Sequence, residues 1–322
     1  MNASIDIIVT YLDSFRPKWK ELYKKYQDAE IEKGLQPKRG QAAFGTARYR
    51  DWKIFKYWFR GVEQNCPWVN KVFVVLQDED QVPEWLNLSC PKLRVVYHSE
   101  FMPKQFLPTF NGPALEMFYC NIPDLSENFI ACDDDYFFIN PVPEDWFFED
   151  NIPMTSHKKN SFKDRNLTDI DSLPNWRRQM LNVHRIVSRE MEKFGQNPNF
   201  EYHYSHLPEP RKKSFEKEYL KSHYFQILFS VAPSHFRYKT NLNSALYIDL
   251  MKVRGISKQK SVYHNSKYSV IKDVLKHPDL ILGNYMMVCY NDVDFLSVTE
   301  KEMEDIRALF EQKFPNKCEF EK

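Results

Sequence analysis

The stretch from Asn128 to Ile139 constrains the fold of this chain more than any other, because it sets three consecutive aspartates, Asp133 to Asp135, between two apolar runs. The pattern predicts a buried strand, an acidic corner and a second strand. Adjacent carboxylates repel one another, so a fold that holds them at the end of a buried strand usually supplies a cation or several hydrogen-bond donors. The alternative is an Asx-rich turn with solvated carboxylates. The corner is the first candidate for a functional site.

The composition argues against nucleic-acid binding and against a glycine-rich phosphate loop. At 322 residues the chain can bury the core of one large α/β domain, with or without an insertion. A net charge of +1 gives no overall electrostatic footprint for nucleic acid or an anionic membrane, and we expect no nucleic-acid partner. The chain has only eight glycines and neither a G-x-x-x-x-G-K nor a G-x-G-x-x-G string, so phosphate recognition has to use side chains.

The spacing of the cysteines and the first apolar run indicate the cellular compartment in which the protein is expected. The six cysteines are widely spaced and form no C-x-x-C pair, which is typical of reduced, mostly buried thiols in a cytosol-like compartment. The apolar run at 5–12 is too short to span a bilayer and has no basic flank or cleavage site. We therefore expect neither a signal peptide nor a transmembrane helix.

Strands and helices alternate through the first half of the chain. Apolar, β-branched runs predict three strands, at 5–12, 71–77 and 93–98. Apolar residues at helical spacing predict a helix over 52–62, and a helix is expected around 19–26. This alternation predicts βαβ units and a mainly parallel sheet.

Polar residues at the ends of these elements are site candidates. Asp13 follows the first strand, at the edge where open α/β sheets bind ligands, although it would serve equally well as a cap for the next helix. Arg48 and Arg50 lie at the start of the helix over 52–62, where cations oppose the helix dipole. Their position predicts a bound anion, with pairing to Asp51 as the alternative.

The second half changes character. Residues 157–200 are rich in Lys, Arg and Asn and contain one amphipathic helix, at 176–194. We expect a core over 1–156 and 201–322 that is interrupted by a mostly helical insertion at 157–200, where acceptor specificity would reside. Further predicted elements are helices at 212–230 and 243–252, a strand within 283–292, and a helix over 299–314 that starts with a capping box.

Two histidines, His203 and His206, form an H-x-x-H pair ahead of a proline-rich and basic segment. A structural zinc site would need further ligands that the nearby sequence lacks. A catalytic base or a phosphate contact near neutral pH is the sharper hypothesis for this pair, and an ordinary surface or core histidine is the default for His203.

Four blocks of this sequence resemble, in the same order, the conserved regions of the Stealth family of sugar-1-phosphate transferases. The blocks are the run Ile5-Asp-Ile-Ile-Val-Thr-Tyr-Leu-Asp13, the segment from Arg48-Tyr-Arg-Asp to Asp133-Asp-Asp135, the segment from His203-Tyr-Ser-His206-Leu-Pro to Phe236-Arg237, and the segment from Val288-Cys-Tyr-Asn291-Asp292 to Phe314-Pro315. Two details differ: Asp133 stands where the family often has Asn, and the turn after the first strand lacks a Trp.

The resemblance implies a reaction and its partners. A UDP-sugar, with a hexosamine or hexose, would donate its sugar-1-phosphate to a hydroxyl of an oligosaccharide, polysaccharide or lipid-linked glycan, releasing UMP in capsular or exopolysaccharide synthesis. It also implies a nucleotide-sugar-transferase-like, GT-A-like α/β fold with a mainly parallel central sheet flanked by helices. The enzyme would be cytoplasmic, at the inner face of the cell membrane, with peripheral membrane association left open. A metal-dependent glycosyltransferase releasing UDP and a non-catalytic carbohydrate-binding module are the alternatives.

The resemblance also implies roles for residues. Mg²⁺ or Mn²⁺ would be held by Asp134 and Asp135 with Asn291 or Asp292, and Asp135 is the first choice. His206 is the proposed base and Glu116 its competitor. Other substrate contacts are expected from Arg48, Arg211 and Arg237 on the diphosphate, Asp13 on the uridine or ribose, and Arg50, Asp51, Asn111 and His203. Surface ion pairs are the alternative for each arginine.

Overall fold

The computed structural model describes residues 3–35, 49–157, 159–160, 173–197, 202–203, 206–261, 265–293 and 297–322. Its strands are β1 (Ile5–Thr10), β2 (Val72–Leu76), β3 (Leu93–Tyr97), β4 (Asn128–Asp133), β5 (Tyr136–Phe138), β6 (Phe148–Glu149), β7 (Ile152–His157), β8 (Lys159–Asn160), β9 (Tyr202–His203), β10 (Glu209–Lys212), β11 (Lys258–Ser261), β12 (Ser266–Val270) and β13 (Met287–Asn291). Its helices are α1 (Pro17–Glu32), α2 (Phe55–Asn65), α3 (His98–Phe101), α4 (Gly112–Glu116), α5 (Asn175–Lys193), α6 (Lys213–Ser222), α7 (Tyr224–Val231), α8 (Ala245–Val253), α9 (Asp279–Leu282) and α10 (Glu300–Lys313).

A five-stranded sheet in the order β10-β4-β1-β2-β3 forms the centre of the fold. Strands β4, β1, β2 and β3 run parallel, and β10 is antiparallel at one edge. The predicted mainly parallel central sheet is therefore confirmed. Thr10 pairs with Asp133, so the carboxyl ends of β1 and β4 lie side by side. The acidic corner thus occupies the edge at which parallel sheets bind ligands.

Helices cover both faces of this sheet. Side chains alternate along β1, so that Ile7 packs on one face and Ile8 on the other. The first face packs against α2 and α10, and the second against α5 and α8. Helix α5 is the described helical part of the segment 157–200, and it shares this second core with the sheet.

A smaller sheet in the order β12-β13-β5 brings the last third of the chain to the acidic corner. Strand β5 starts directly after the corner and pairs antiparallel with β13, with Tyr136 opposite Cys289. The predicted strand within 283–292 is confirmed, over Met287–Asn291. This pairing places the end of β13 beside Asp135.

The helices follow the predicted pattern with two differences. Helix α1 is longer than expected and starts with Pro17, a residue whose fixed φ suits the first helical position. The helix predicted over 212–230 is divided into α6 and α7 at His223, whose ψ of 29° leaves the helical range. The capping box of α10 is confirmed: Thr299 Oγ1 accepts from Glu302 N at 3.2 Å, and Glu302 Oε2 accepts from Thr299 N at 2.8 Å. No helix within the described ranges has the length and apolar character needed to cross a bilayer.

A buried ion pair fastens α2 to the C-terminal segment and gives a stability prediction. Arg60 donates to both carboxylate oxygens of Glu321, at 2.7 and 2.9 Å, and both side chains are nearly inaccessible. Glu321→Ala removes the close carboxylate partner of the buried guanidinium and leaves it the longer contact to Glu311 and the carbonyl of Phe314, so we expect unfolding free energy to fall by about 3 kcal/mol in urea denaturation. Glu319→Ala is the control, because its pair with Lys92 is exposed and should cost less than about 1 kcal/mol. Equal losses in the two variants would contradict this account.

Candidate active site

The carboxyl groups of the acidic corner are accessible to solvent but have many protein atoms close to them. Asp133 and Asp134 are exposed and Asp135 is half-buried. Protein atoms nevertheless crowd the three carboxyl groups, and this desolvation raises the pKa of each, that of Asp135 to about 7. The charge of Asp133 raises the pKa of both neighbours further. A cation placed here would relieve this repulsion.

Asp135 is oriented by β13 but keeps one oxygen unsatisfied. Its Oδ2 accepts a weak hydrogen bond from Cys289 Sγ at 3.6 Å, and its carbonyl accepts from Tyr290 N at 2.9 Å. Its Oδ1 is buried and finds no hydrogen-bond partner among the residues that the structure describes. A buried carboxylate oxygen without a donor fits a hard cation.

His206 is linked to the acidic corner through the hydroxyl of Tyr136. Its Nδ1 is 3.0 Å from the hydroxyl of Tyr136, which also hydrogen-bonds Asp133. Its backbone has a φ of 46°, in the left-handed region that a histidine adopts at a cost. Strained residues of this kind cluster at functional sites. The structure therefore brings the third block and the acidic corner together.

A second group of carboxylates flanks Asp133. Glu116, the last residue of α4, has its pKa raised to about 7 by burial and by the charge of Asp133. Glu209, on β10, also has its pKa raised to about 7, mainly by burial. Both glutamates hydrogen-bond Ser244. Glu209 was missed from the sequence, although it follows His206 in the third block.

Arg237 faces the corner from a segment that α1 holds in place. Its charge lowers the pKa of both Asp133 and Asp135 against their desolvation. The buried Glu30 of α1 accepts from Ser234 Oγ at 2.5 Å and from His235 N at 2.7 Å, which fixes the residues just before Arg237. Arg237 is half-exposed, so a ligand at the corner has access to it.

Arg211 does not have the predicted role. Its side chain is 0% exposed, its Nε donates to Glu216, and its Nη2 donates to the carbonyl of Glu116 at 2.8 Å. The rings of Tyr119 and Tyr247 lie 5.5 and 5.0 Å from the guanidinium. A diphosphate in the cleft cannot reach this interior position, so the predicted direct contact is corrected. Arg211 instead supports the end of α4 from behind.

Asn111 is likewise an interior residue. Its Nδ2 donates to the carbonyl of Phe236 at 3.1 Å and to Asn241 Oδ1 at 2.8 Å, and its side chain is buried. These bonds join the segment before α4 to the segment that carries Arg237. The predicted substrate contact is therefore corrected to a structural role.

Asp292 is fully engaged by the residues before α2. Its Oδ1 accepts from Arg50 Nη1 at 3.1 Å and from Val293 N at 2.7 Å, and its Oδ2 accepts from Trp52 Nε1 at 3.0 Å. These bonds orient the carboxylate as hydrogen bonds to a ligating carboxylate do, and the role of Asp292 as a metal ligand stays a prediction. The expected partner of Arg50 among the protein's carboxylates was Asp51, and the observed one is Asp292.

Asp51 is one of several aspartates close to Tyr11. The Tyr11 hydroxyl donates to Asp51 Oδ2 at 3.3 Å. Burial raises the pKa of Tyr11, and the charges of Asp51, Asp13 and Asp134 raise it further. The aspartates that the first and second blocks contribute are therefore brought together at one edge of the sheet.

Asp13 has local partners. Its Oδ1 accepts from Phe15 N at 2.9 Å, and its Oδ2 pairs with Arg16 Nε at 3.1 Å. These contacts organise the turn before α1, but the capping alternative is wrong, because the residue at the cap position is Arg16 and no side chain caps this helix. A uridine or ribose contact by Asp13 stays a prediction.

For three other predicted site residues, the structure gives little or no information about the side chain. Arg48 lies outside the described residues, and so does the side chain of His203, whose backbone is in β9. Asn291 ends β13, and its Nδ2 donates to the carbonyl of Asp292 at 2.8 Å. Its role as a ligand stays a prediction.

The acidic corner suits a metal ion for which the protein supplies only some of the ligands. Within the described ranges, no three His, Cys, Asp or Glu side chains are grouped closely enough to hold a metal ion. Mg²⁺ commonly takes one or two protein carboxylates and completes its coordination with water and substrate phosphates. Asp135, with its unsatisfied oxygen, and the exposed Asp134 suit that arrangement.

The sequence matches a family model and full-length relatives. The model described as Stealth protein CR2, conserved region 2, matches residues 48–155, which include the acidic corner. A capsular polysaccharide phosphotransferase, WcwK, from Streptococcus pneumoniae is 32% identical over 98% of this chain and 99% of its own length. A receptor polysaccharide phosphotransferase, WefC, from Streptococcus oralis is 31% identical over the same shares. An exopolysaccharide phosphotransferase, cps2G, from Lactiplantibacillus plantarum is 28% identical over 99% of this chain and 96% of its own length.

A solved structure is similar at a lower level. The crystal structure of the galactosyltransferase LgtC with donor and acceptor sugar analogues has a TM-score of 0.43 and 9% identity, over 95% of each chain. A likeness of this degree carries no argument about the site.

Proposed function

Because this chain belongs to the Stealth family and is a transferase, as its full-length relatives are, we propose that it moves the sugar-1-phosphate of a UDP-sugar onto a hydroxyl group of a glycan acceptor, in capsular or exopolysaccharide synthesis. UMP is the leaving group and a phosphodiester is the product. The observation that carries the proposal is the convergence of Asp135, His206 and Arg237 at the carboxyl ends of β1 and β4.

The donor's diphosphate would lie against the acidic corner, with Arg237 on its oxygens. Mg²⁺ or Mn²⁺, held by Asp134 and Asp135 with Asn291 or Asp292, would neutralise the phosphate charge, which is the main requirement of phosphoryl transfer. Arg237 contributes to the same neutralisation through charge-assisted hydrogen bonds. The metal and Arg237 would thereby offset the repulsion between the negatively charged donor and the carboxylates of the acidic corner.

His206 would act as the base. With the Nδ1 proton directed to Tyr136, the lone pair on Nε2 accepts the proton of the acceptor hydroxyl. The acceptor oxygen forms a bond to the β-phosphorus, and the bond between that phosphorus and the oxygen of UMP breaks, so UMP leaves with the electron pair. The bond from the sugar's C1 to oxygen stays intact. Glu116 is the competing base, since its pKa of about 7 also suits proton transfer near neutral pH.

A labelled donor tests the reaction. UDP-sugars labelled in the β-phosphate, first screened for UMP release, are expected to pass the label to the glycan, whereas a label in the α-phosphate stays in UMP. Label in released UDP would identify a glycosyltransferase that attacks the anomeric carbon. Sugar binding without release of either nucleotide would identify a carbohydrate-binding module.

Removal of divalent cations tests the metal. We expect EDTA to lower UMP release to below about 1% of the starting rate, because the lost charge neutralisation corresponds to several kcal/mol. Mg²⁺ or Mn²⁺ added in excess should restore it. Mn²⁺ should also raise the melting temperature of the wild type more than that of Asp135→Asn. Undiminished activity after chelation would exclude a required metal.

A further inference from the structure

The side chains around Nδ1 of His206 decide which nitrogen of the ring carries the proton. Nδ1 lies 3.0 Å from the hydroxyl oxygen of Tyr136 and 4.0 Å from the sulfur of Cys289. Tyr136 and Cys289 lie opposite each other on the paired strands β5 and β13, and both side chains are buried. A neutral imidazole has one N–H donor and one acceptor nitrogen, so the hydrogens of these two neighbours identify its tautomer.

The hydroxyl hydrogen of Tyr136 is directed to Asp133. The hydroxyl donates to the carboxylate of Asp133, and this hydrogen bond lowers the pKa of that group against the effect of burial. An ionised carboxylate can only accept hydrogen bonds, and a tyrosine hydroxyl has a single hydrogen. Toward His206 the tyrosine oxygen therefore accepts, so the hydrogen of this bond belongs to Nδ1.

The thiol of Cys289 leads to the same assignment through a separate contact. Its Sγ donates to Asp135 Oδ2 at 3.6 Å. Burial and the charge of Asp135 raise the pKa of the thiol well above its ordinary value, so the sulfur keeps its hydrogen. In the weak contact between the sulfur and Nδ1, the sulfur is therefore the acceptor. Tyr136 and Cys289 thus both present lone pairs to Nδ1.

We propose that Tyr136 and Cys289 are positioning residues that hold His206 as its Nδ1–H tautomer. Asp133 and Asp135 take part by accepting the hydrogens of these two residues. Nε2 then carries the lone pair, as a base at this position of the ring requires. The inference rests on the proposed function for its catalytic consequence, whereas the tautomer is a property of the protein alone. It gives a role to Asp133, the aspartate of the corner for which no metal contact is proposed.

The same contacts suit the charged ring that forms during the reaction. The proton of the acceptor hydroxyl passes to Nε2, which leaves His206 with a hydrogen on each nitrogen and one positive charge. Nδ1–H continues to donate to Tyr136, and the carboxylate of Asp133 stabilises the charge through that hydroxyl. After the product leaves, Nε2 releases the proton to water. Asp135 accepts from the thiol with Oδ2, whereas the oxygen suited to a cation is Oδ1, so its two roles do not compete.

Nitrogen NMR of the full-length protein with ¹⁵N-labelled histidine tests the tautomer without turnover. At a pH of about 9, well above the ordinary histidine pKa of about 6.5, the neutral ring of His206 should carry its hydrogen on Nδ1. The signals of His206 are those that disappear in His206→Asn. Tyr136→Phe combined with Cys289→Ala removes both lone-pair contacts and should move the hydrogen mainly to Nε2. Tyr268→Phe is the matched control: its ring lies 5.1 Å from that of His206, but its hydroxyl bonds Asn291, so the tautomer should not change.

Kinetics test the catalytic consequence. Tyr136→Phe should lower kcat for UMP release about 10- to 100-fold and leave KM for the UDP-sugar within about twofold, because the hydroxyl acts through His206. A wild-type ring with its hydrogen on Nε2 would overturn the proposal whether or not the variants fold. An unchanged tautomer in the double variant, or wild-type kcat in Tyr136→Phe, would overturn it as well. A wild-type ring with its hydrogen on Nδ1, in a protein that releases no UMP, would keep the assignment and reject the proposed reaction.

Discussion

Asp135→Asn is expected to lower the rate of UMP release about 1,000-fold, which corresponds to about 4 kcal/mol of transition-state stabilisation. The variant keeps the size of the side chain and the oxygen that Cys289 contacts, but it removes the charge. An amide is a poor substitute for a carboxylate whose buried Oδ1 has no protein donor, because that oxygen is the one suited to a cation. The loss should appear in kcat more than in KM, since the neutralised charge matters most in the transition state.

The control for Asp135 is Asp145→Asn, which makes the same chemical change at an exposed position beyond β5. It should leave the rate within about twofold of the wild type, since surface substitutions are usually close to neutral. Both proteins should unfold at the wild-type temperature or above it, because Asp135→Asn removes a repulsive charge from the corner. A folded Asp135→Asn protein with wild-type activity would reject the assignment of Asp135 as a metal ligand.

His206→Asn is expected to lower UMP release by a factor of about 100 to 10,000, the usual contribution of a positioned base. Asn is the appropriate replacement because it tolerates the left-handed backbone that His206 adopts, with its φ of 46°. Its short amide can also take the hydrogen bond that Tyr136 shares with Nδ1. It offers nothing at the position of Nε2, so the missing group is the base itself.

Glu116→Gln decides between the two candidate bases. If His206 is the base, Glu116→Gln should cost about tenfold or less, as expected for a neighbouring group that adjusts charge. Its activity should rise with pH like that of the wild type. A loss as large as that of His206→Asn, together with loss of the pH dependence, would transfer the role to Glu116. Wild-type activity in His206→Asn would have the same consequence.

The strands could be predicted from the sequence because their signals are local. Strand β1 is a run of β-branched residues buried on both sides, and β4 ends at the first aspartate of the corner, as its apolar pattern indicates. The parallel order of these strands follows from the helices between them. The position of the acidic corner at the ligand-binding edge of the sheet was therefore foreseeable.

The partners of individual polar side chains were not foreseeable. Arg50 and Asp292 are 242 residues apart, and nothing near either of them reveals the other. Arg211 was expected to contact phosphate from the resemblance, but β10 is an edge strand whose side chain at this position enters the core. Burial of a charged group depends on the elements that fold around it, here α6, which follows β10 directly, and α4, which lies 95 residues earlier.

Pairing between β5 and β13 links two parts of the chain that are made at very different times. About 150 residues separate these strands, and such distant contacts form slowly because loop closure costs entropy first. A ribosome-bound chain that has emerged only as far as α8 already contains all three aspartates of the corner, yet it lacks Cys289 and Tyr290 to orient Asp135. The acidic corner is therefore completed only once β13 has been made and has paired with β5.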